Sequence, residues 1–290
     1  MPVSDGKSVL IPCICCGSLN FKPALKCEGF SFVRCLTCNL VQHNPQPLHE
    51  EIKKRYSDTF GNDYLDYEIK NEAAFLRLQE LALDDAGFNK LENEFREKFS
   101  REQSLPERTV LDIGCATGAL LESLQKKGWS VTGVEISPCA DYAKKERKLD
   151  VRNIPLEECK FPSESFDIVL ASHLIEHLNN PKSFLDEIYR ILKSGGYCFI
   201  TTPNISSFQA RIFGNRWRSA IFDHLYLFSK KTLSKMMKDA GLKIESIHTW
   251  GGLAAGIAPG WLKRAADKMA KRLGCGDVMI VRARKGEGLN

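Results

Sequence analysis

The residues from Val110 to Gly118, Val-Leu-Asp-Ile-Gly-Cys-Ala-Thr-Gly, can do the most recognisable chemistry in the chain. Val110, Leu111 and Ile113 are strand formers, and Gly114, Ala116 and Gly118 make a turn whose backbone can come close to a ligand. In an open α/β sheet, ligands bind at such turns, beyond the carboxyl ends of the strands. Glu135 ends a second strand, Ser130 to Glu135, and lies 21 positions after Gly114. That distance sets a carboxylate over a ribose, where it accepts hydrogen bonds from the hydroxyls. The small residues run Gly-x-Ala-x-Gly instead of the dinucleotide pattern, and Asp112 stands at the strand end. An acid there would repel a pyrophosphate. It suits a nucleoside cofactor that carries a cationic amine and a sulfonium.

Two further clusters have chemical spacing. Cys13-Ile-Cys-Cys16-Gly and Cys35-Leu-Thr-Cys38-Asn are Cys-x-x-Cys knuckles, each followed by a residue that tolerates positive φ. Cys13, Cys16, Cys35 and Cys38 fit a tetrahedral structural zinc site, and the metal would supply folding energy to a segment too short for a core. Cys15 can compete as a ligand, and a pair of disulfides is the alternative reading, disfavoured in a cytosolic chain. The other cluster is His173-x-x-Glu176-His177, with His224 further on. Three readings stand open: His177 or His173 as a general base, Glu176, His177, His173 and His224 as ligands of a divalent metal, or Glu176–His177 as a structural pair.

These groups need elements to hold them. Ala119, Leu120, Leu121 and Leu124 recur at helical spacing after the turn. Ser165 to Ser172 reads as another strand, which puts His173 at its carboxyl end. Asn180-Pro181 opens a helix through Leu192, closed by Lys193-Ser-Gly-Gly196. Tyr197 to Thr202, Lys243 to His248 and Gly276 to Lys285 read as strands. Apolar positions from Ala74 to Leu83 and from Phe88 to Phe99 give one or two amphipathic helices.

The turn resembles motif I of the class I S-adenosylmethionine-dependent methyltransferases, through Asp112, Gly114, Cys115, Thr117 and Gly118, and the order of later segments resembles the UbiG/UbiE-like group. The resemblance implies an α/β, Rossmann-like seven-stranded sheet with helices on both faces, preceded by a small zinc ribbon. It divides the chain into a ribbon (1–45), a helical linker or cap (46–105) and a cofactor domain (106–290). S-adenosylmethionine would be bound by Asp112, Gly114, Cys115, Gly118, Glu135, Ile136, Leu156 and Ser172, with Pro155-Leu156 as the adenine wall. Ala116 replaces the commoner glycine, which predicts φ below zero there. The joint Leu40 to Pro47, followed by Tyr56, Phe60 and Tyr64, resembles an arrangement found in methyltransferases acting on sugars or small metabolites. Tyr56 and Tyr64 would cover the methionine end or join the core.

The sulfonium is already activated, so such an enzyme chiefly aligns a nucleophile with it. Ser172-His-Leu-Ile175 stands where planar-nitrogen methyltransferases carry Asn/Asp-Pro-Pro-Tyr, which favours a hydroxyl, then a carbon, as the acceptor. His224, Arg216 and Trp217 lie where acceptor pockets are shaped, Arg216 and Trp217 suiting a planar or anionic acceptor. The expected function is methylation of a small molecule or sugar. An RNA methyltransferase gripping RNA with its ribbon, and a non-catalytic cofactor-binding scaffold, are the alternatives.

Composition sets bounds. The 290 residues, 43% hydrophobic and 27% charged, suit one core plus a small module. The net charge of +5 permits an anionic partner without requiring one, and no long basic run marks a nucleic-acid binder. No apolar run approaches the ~20 residues of a membrane span. Met1 to Lys7 lacks the regions of a secretory signal, so the cytoplasm is the expected compartment. Trp261 to Leu273 is a basic amphipathic helix, expected to pack its apolar face on the sheet with its lysines solvated. Contact with an anionic membrane is the other reading. The oligomeric state is not legible.

Overall fold

The computed structural model describes residues 8–48, 59–101, 107–252 and 259–286. Five short strands come first: β1 (Ser8–Val9), β2 (Phe21–Cys27), β3 (Phe30–Cys35), β4 (Val41–His43) and β5 (Gln46–Pro47). Two helices follow, α1 (Thr59–Asp85) and α2 (Phe88–Arg101), as the apolar periodicity predicts. Then come β6 (Thr109–Ile113), α3 (Ala119–Lys126), β7 (Ser130–Val134), α4 (Cys139–Arg147), β8 (Val151–Arg152), α5 (Leu156–Cys159), β9 (Phe166–Ser172), α6 (Pro181–Ile191) and β10 (Leu192–Pro203). The last elements are α7 (Phe208–Phe213), β11 (Tyr226–Leu227), α8 (Lys230–Asp239), β12 (Leu242–Trp250), α9 (Gly260–Leu273) and β13 (Val278–Lys285).

Seven strands form the main sheet in the order β12-β13-β10-β9-β6-β7-β8, and β13 runs antiparallel to both neighbours. The five strands from β10 to β8 are parallel, as βαβ connections require. Val110, Leu111, Ile168, Val169 and Ile200 are fully buried, because helices cover both faces of a parallel sheet. This is the Rossmann-like class I sheet that the resemblance implies. Local chemistry sets the helix ends. Asn180 accepts from the Ser183 N–H at 3.1 Å ahead of Pro181, a cap of about 1 kcal/mol. Ser229 and Thr232 cap α8 reciprocally.

The N-terminal strands are stitched into this body. β4 pairs with β11, giving the sheet order β11-β4-β3-β2, and β1 pairs with β5, so Gln46 and Pro47 hydrogen-bond into the N-terminal module. Cys13, Cys15, Cys35 and Leu40 belong to the same buried cluster as Leu185, Ile188, Met236 and Met279. Gln42 and Asn44 brace the first knuckle with paired amide bonds to the backbone of Ile11, Pro12 and Ile14. Phe30 and His43 stack edge-on with Phe222, from the segment between α7 and β11.

Candidate active site

The turn after β6 is built around one carboxylate. Glu135, just past β7, accepts the Ala116 N–H at 3.0 Å and the Ser137 N–H at 2.8 Å. Gly114, Ala116 and Gly118 all have positive φ, of +75°, +46° and +77°. The negative φ expected at Ala116 is therefore wrong. The hydrogen bond to Glu135 holds this alanine left-handed, at a cost of about 1–2 kcal/mol. Gly118 answers to packing: a Cβ there would lie 2.6 Å from Leu149 Cδ1 and 3.2 Å from Ala143 Cβ on α4. Cys115 likewise turns inward, filling the space that Gly133 leaves on β7, where a Cβ would lie 2.7 Å from its Sγ. Gly133 is a residue that sequence reasoning missed, since a lone strand glycine has no visible partner.

Asp112 is buried beside Glu135, and burial, with the Glu135 charge second, pushes its carboxyl up to about 8. Two neighbouring acids at the bottom of a turn form a site for a cation, which fits the amine and sulfonium of S-adenosylmethionine. Ile136, Ile154 and Pro155 are exposed beside Glu135, whereas the Leu156 side chain is buried in the core and offers a ligand only its backbone. Asn153 donates to the Ser137 carbonyl and ties the two loops together.

Helix α1 lies over the turn. Thr117 Oγ1 donates to Glu72 Oε2 at 2.7 Å, and Arg147 pairs with Glu72 at 2.5 Å. One turn earlier, Tyr64 and Glu68 share a hydrogen bond, and burial with the charges of Glu68 and Glu135 pushes the Tyr64 phenol up. Tyr64 thus stands within the field of Glu135. Tyr56 lies outside the described residues, and so does the Phe60 side chain.

At the end of β9, His173 has φ +52° and its side chain is 49% exposed. The next residue, Leu174, lies against the cofactor turn, 3.5 Å from where a Gly114 Cβ would stand. Glu176, 1% exposed, sits behind His173. Its Oε2 accepts from Thr202 Oγ1 at 2.9 Å, and its Oε1, without a well-aligned donor among the described residues, is 3.4 Å from His173 Nδ1. Burial alone would raise this carboxyl. The nearby His173 ring and the charges of His173, His177 and His224 outweigh burial and hold it near 2.

His177 and His224 meet edge to face, their ring centroids 4.7 Å apart. Nδ1 of His177 lies 3.0 Å from the Asp223 carbonyl, and Nδ1 of His224 lies 2.8 Å from the Ser219 carbonyl. Only an N–H can bond a carbonyl, so the lone pair of each neutral ring is on Nε2. Burial lowers His224 to about 4 despite Glu176. Glu176, His177 and His224 each offer a ligand atom within 4.8 Å of the others, a set that can hold a divalent cation.

The predicted acceptor residues divide. His224 joins the site. Trp217 is buried, its indole N–H donating to Asp277 at 2.6 Å, so it pins the segment from Asn204 to Leu225 and does not face an acceptor. Arg216 is exposed. Asp277, which the sequence did not single out, also accepts from Ser207 and Arg218.

Away from this site, the sulfurs of Cys13, Cys16, Cys35 and Cys38 lie within 4.8 Å of one another, with contacts of 3.4 and 3.5 Å. No cysteine is in a disulfide. A tetrahedral zinc with four thiolates has edges of about 3.8 Å. Gly17 and Asn39 take the positive φ expected after each knuckle. Burial raises the Cys35 thiol, but donors from Cys38 and Thr37 bring it down to about 6, while burial pushes Cys13 up to about 11. Four thiols so close ionise together only around a cation.

Comparison with known proteins agrees with this geometry. A family model described as a methyltransferase domain matches residues 79–247, a span holding the cofactor turn, Glu135, the His173 turn and His224. The chain belongs to this methyltransferase family. Its S-adenosylmethionine-dependent class I fold is shared by a solved methyltransferase from Thermotoga maritima, 24% identical with a TM-score of 0.51, covering 81% of this chain and 98% of that one. The ubiquinone biosynthesis O-methyltransferase of Nitrosomonas europaea is 36% identical over 110 residues, 34% of this chain and 46% of its own length. The mitochondrial enzyme of the same description from Rattus norvegicus is 30% identical over 157 residues, 48% of this chain and 45% of its own. The match thus spans about half the length of these relatives. The family match leaves out the cysteine knuckles.

Proposed function

We propose that the protein is an S-adenosylmethionine-dependent O-methyltransferase acting on a hydroxyl of a small molecule. The observation that carries this reading is His173, half-exposed beside the cofactor turn and backed by the buried, ionised Glu176. A left-handed non-glycine residue costs about 1–3 kcal/mol and persists where the surroundings enforce it, which is typical of working residues. In this reading Glu176 orients His173 with its Nδ1–H inward, so Nε2 would take the acceptor's proton as the hydroxyl oxygen bonds to the methyl carbon and the carbon–sulfur bond breaks, its electron pair leaving on a neutral thioether. Asp112 and Glu135 hold the amine and ribose of the donor. The ubiquinone O-methyltransferase names of the relatives support a hydroxyl acceptor.

The test is transfer of labelled methyl from S-adenosylmethionine to a panel of phenols, catechols and sugars. His173→Ala lowers kcat by about 10²- to 10⁴-fold with donor affinity unchanged. An unchanged kcat refutes the base, and donor binding with no transfer to any acceptor favours a scaffold.

The Glu176, His177 and His224 set supports a second reading, in which a divalent cation binds the acceptor hydroxyl and lowers its pKa. Activity lost to a chelator and restored by magnesium or manganese distinguishes it from the base. For the N-terminal module, the four-sulfur cluster supports a structural zinc. Its strand pairing with β11 supports a bracing role over a grip on RNA.

A further inference from the structure

Helix α9 turns its small residues toward the sheet. Ala270 is buried, with its carbonyl 3.4 Å from Thr249 Oγ1. A Cβ on Gly252 would lie 2.4 Å from the Ala266 carbonyl oxygen. The apolar groups described at the contact are these alanines, whereas Trp261, Met269 and Leu273 are 65%, 60% and 66% exposed. With Ala265 they follow every fourth residue, one stripe along the helix. Arg264, Lys268 and Arg272, all exposed, repeat at the same interval beside them. The helix's only acid, Asp267, faces back, accepting the Gly252 N–H at 2.7 Å and pairing with Lys263.

Helix α7 abuts the end of this face, since the Phe208 N–H donates to the Cys275 carbonyl at 3.0 Å. It exposes Phe208, Ile212 and Arg211, and the stretch from Asn204 to Phe222 contains no acid. Exposed cations between large apolar groups make a poor protein–protein core, which is depleted of charge. Two copies of this face would set like charges against each other. The boundary between headgroups and acyl chains accepts both kinds of group, the apolar stripe entering the hydrocarbon edge while arginine and lysine reach the phosphates.

We infer that α9, extended by α7, docks the protein on an anionic membrane surface. The loop that follows α7 carries His224, so docking would bring the acceptor side of the site close to the bilayer.

The test is sedimentation of the full chain with phosphatidylglycerol–phosphatidylcholine vesicles and with pure phosphatidylcholine. Binding to the first and not the second is expected. Replacing Arg264, Lys268 and Arg272 with Gln weakens it by on the order of a hundredfold. Replacing Trp261, Met269 and Leu273 with Ser abolishes it, with melting temperature and S-adenosylmethionine affinity unchanged. Quenching of Trp261 by brominated phosphatidylglycerol reads insertion in the parent chain, without relying on a variant. No pelleting with anionic vesicles, equal pelleting of the Ser variant, or a solution dimer that Trp261→Ser dissociates would overturn the inference. Methyl-transfer activity on soluble acceptors enters none of these outcomes.

Discussion

A carboxyl buried at a strand end is costly until a cation reaches it, and Asp112 is in that position. Its folded-state pKa of about 8 lies above the ordinary 3.8. Burial and the Glu135 charge therefore hold it neutral at pH 7, and its burial costs stability increasingly as pH rises from about 4 to about 8. A bound ammonium group reverses that preference by favouring the ionised form. S-adenosylmethionine binding at pH 7 is expected to expel a proton, and affinity is expected to rise toward about pH 8 and to fall above it as the donor's own α-amine loses its charge. Calorimetry in buffers of different ionisation heat reads the proton. Binding without proton release, and flat with pH, would remove Asp112 from the amine site. The residue types and spacing were sufficient to place Asp112, Glu135 and the His173–Glu176–His177 turn at the carboxyl edge of the sheet. They were not sufficient for backbone state: the sign of φ at Ala116 depends on a hydrogen bond from a carboxylate on the next strand.

The elements at the carboxyl edge of the sheet are fixed by buried polar anchors. Asp277, at the start of β13, gathers Ser207, Trp217 and Arg218 and so sets the course of the segment that ends in His224. Asp277→Ala strands the buried Trp217 N–H and loosens that segment, at about 3 kcal/mol. A thermal melt should show the loss together with a lower kcat and little change in donor affinity; an unchanged melt would mean that the anchor is dispensable. Strand order was legible because apolar runs, glycine caps and the Asn180-Pro181 start act locally. The inward turn of Trp217 was not, because its partner Asp277 is 60 positions away in the chain. Glu72 was hidden for the same reason, since nothing along α1 marks which of its acids meets Thr117 and Arg147. For α9, amphipathic spacing gave the helix but not which apolar residues meet the sheet, because alanine and glycine at the contact let the two approach closely.

Across the whole molecule, the cysteine module and the methyltransferase sheet share a core and a strand pair. The path is short. The Leu225 N–H donates to the Glu176 carbonyl at 2.8 Å, and the Leu225 carbonyl accepts from the His43 N–H at 2.8 Å. Metal in the knuckles should therefore stabilise the loop that carries His224. Elemental analysis is expected to find one zinc per chain, absent in Cys35→Ser/Cys38→Ser, with a lower melting temperature and reduced kcat. A metal-free parent that melts normally would contradict this. In the proposed function the turn from Asp112 to Gly118 and Glu135 hold S-adenosylmethionine, and titration calorimetry of the purified chain measures that binding. Saturable one-to-one binding is expected, falling by about a hundredfold in Glu135→Ala, since hydrogen bonds from the ribose to a charged acceptor are lost. Absence of saturable binding to the parent chain, or equal affinity in the variant, would contradict it.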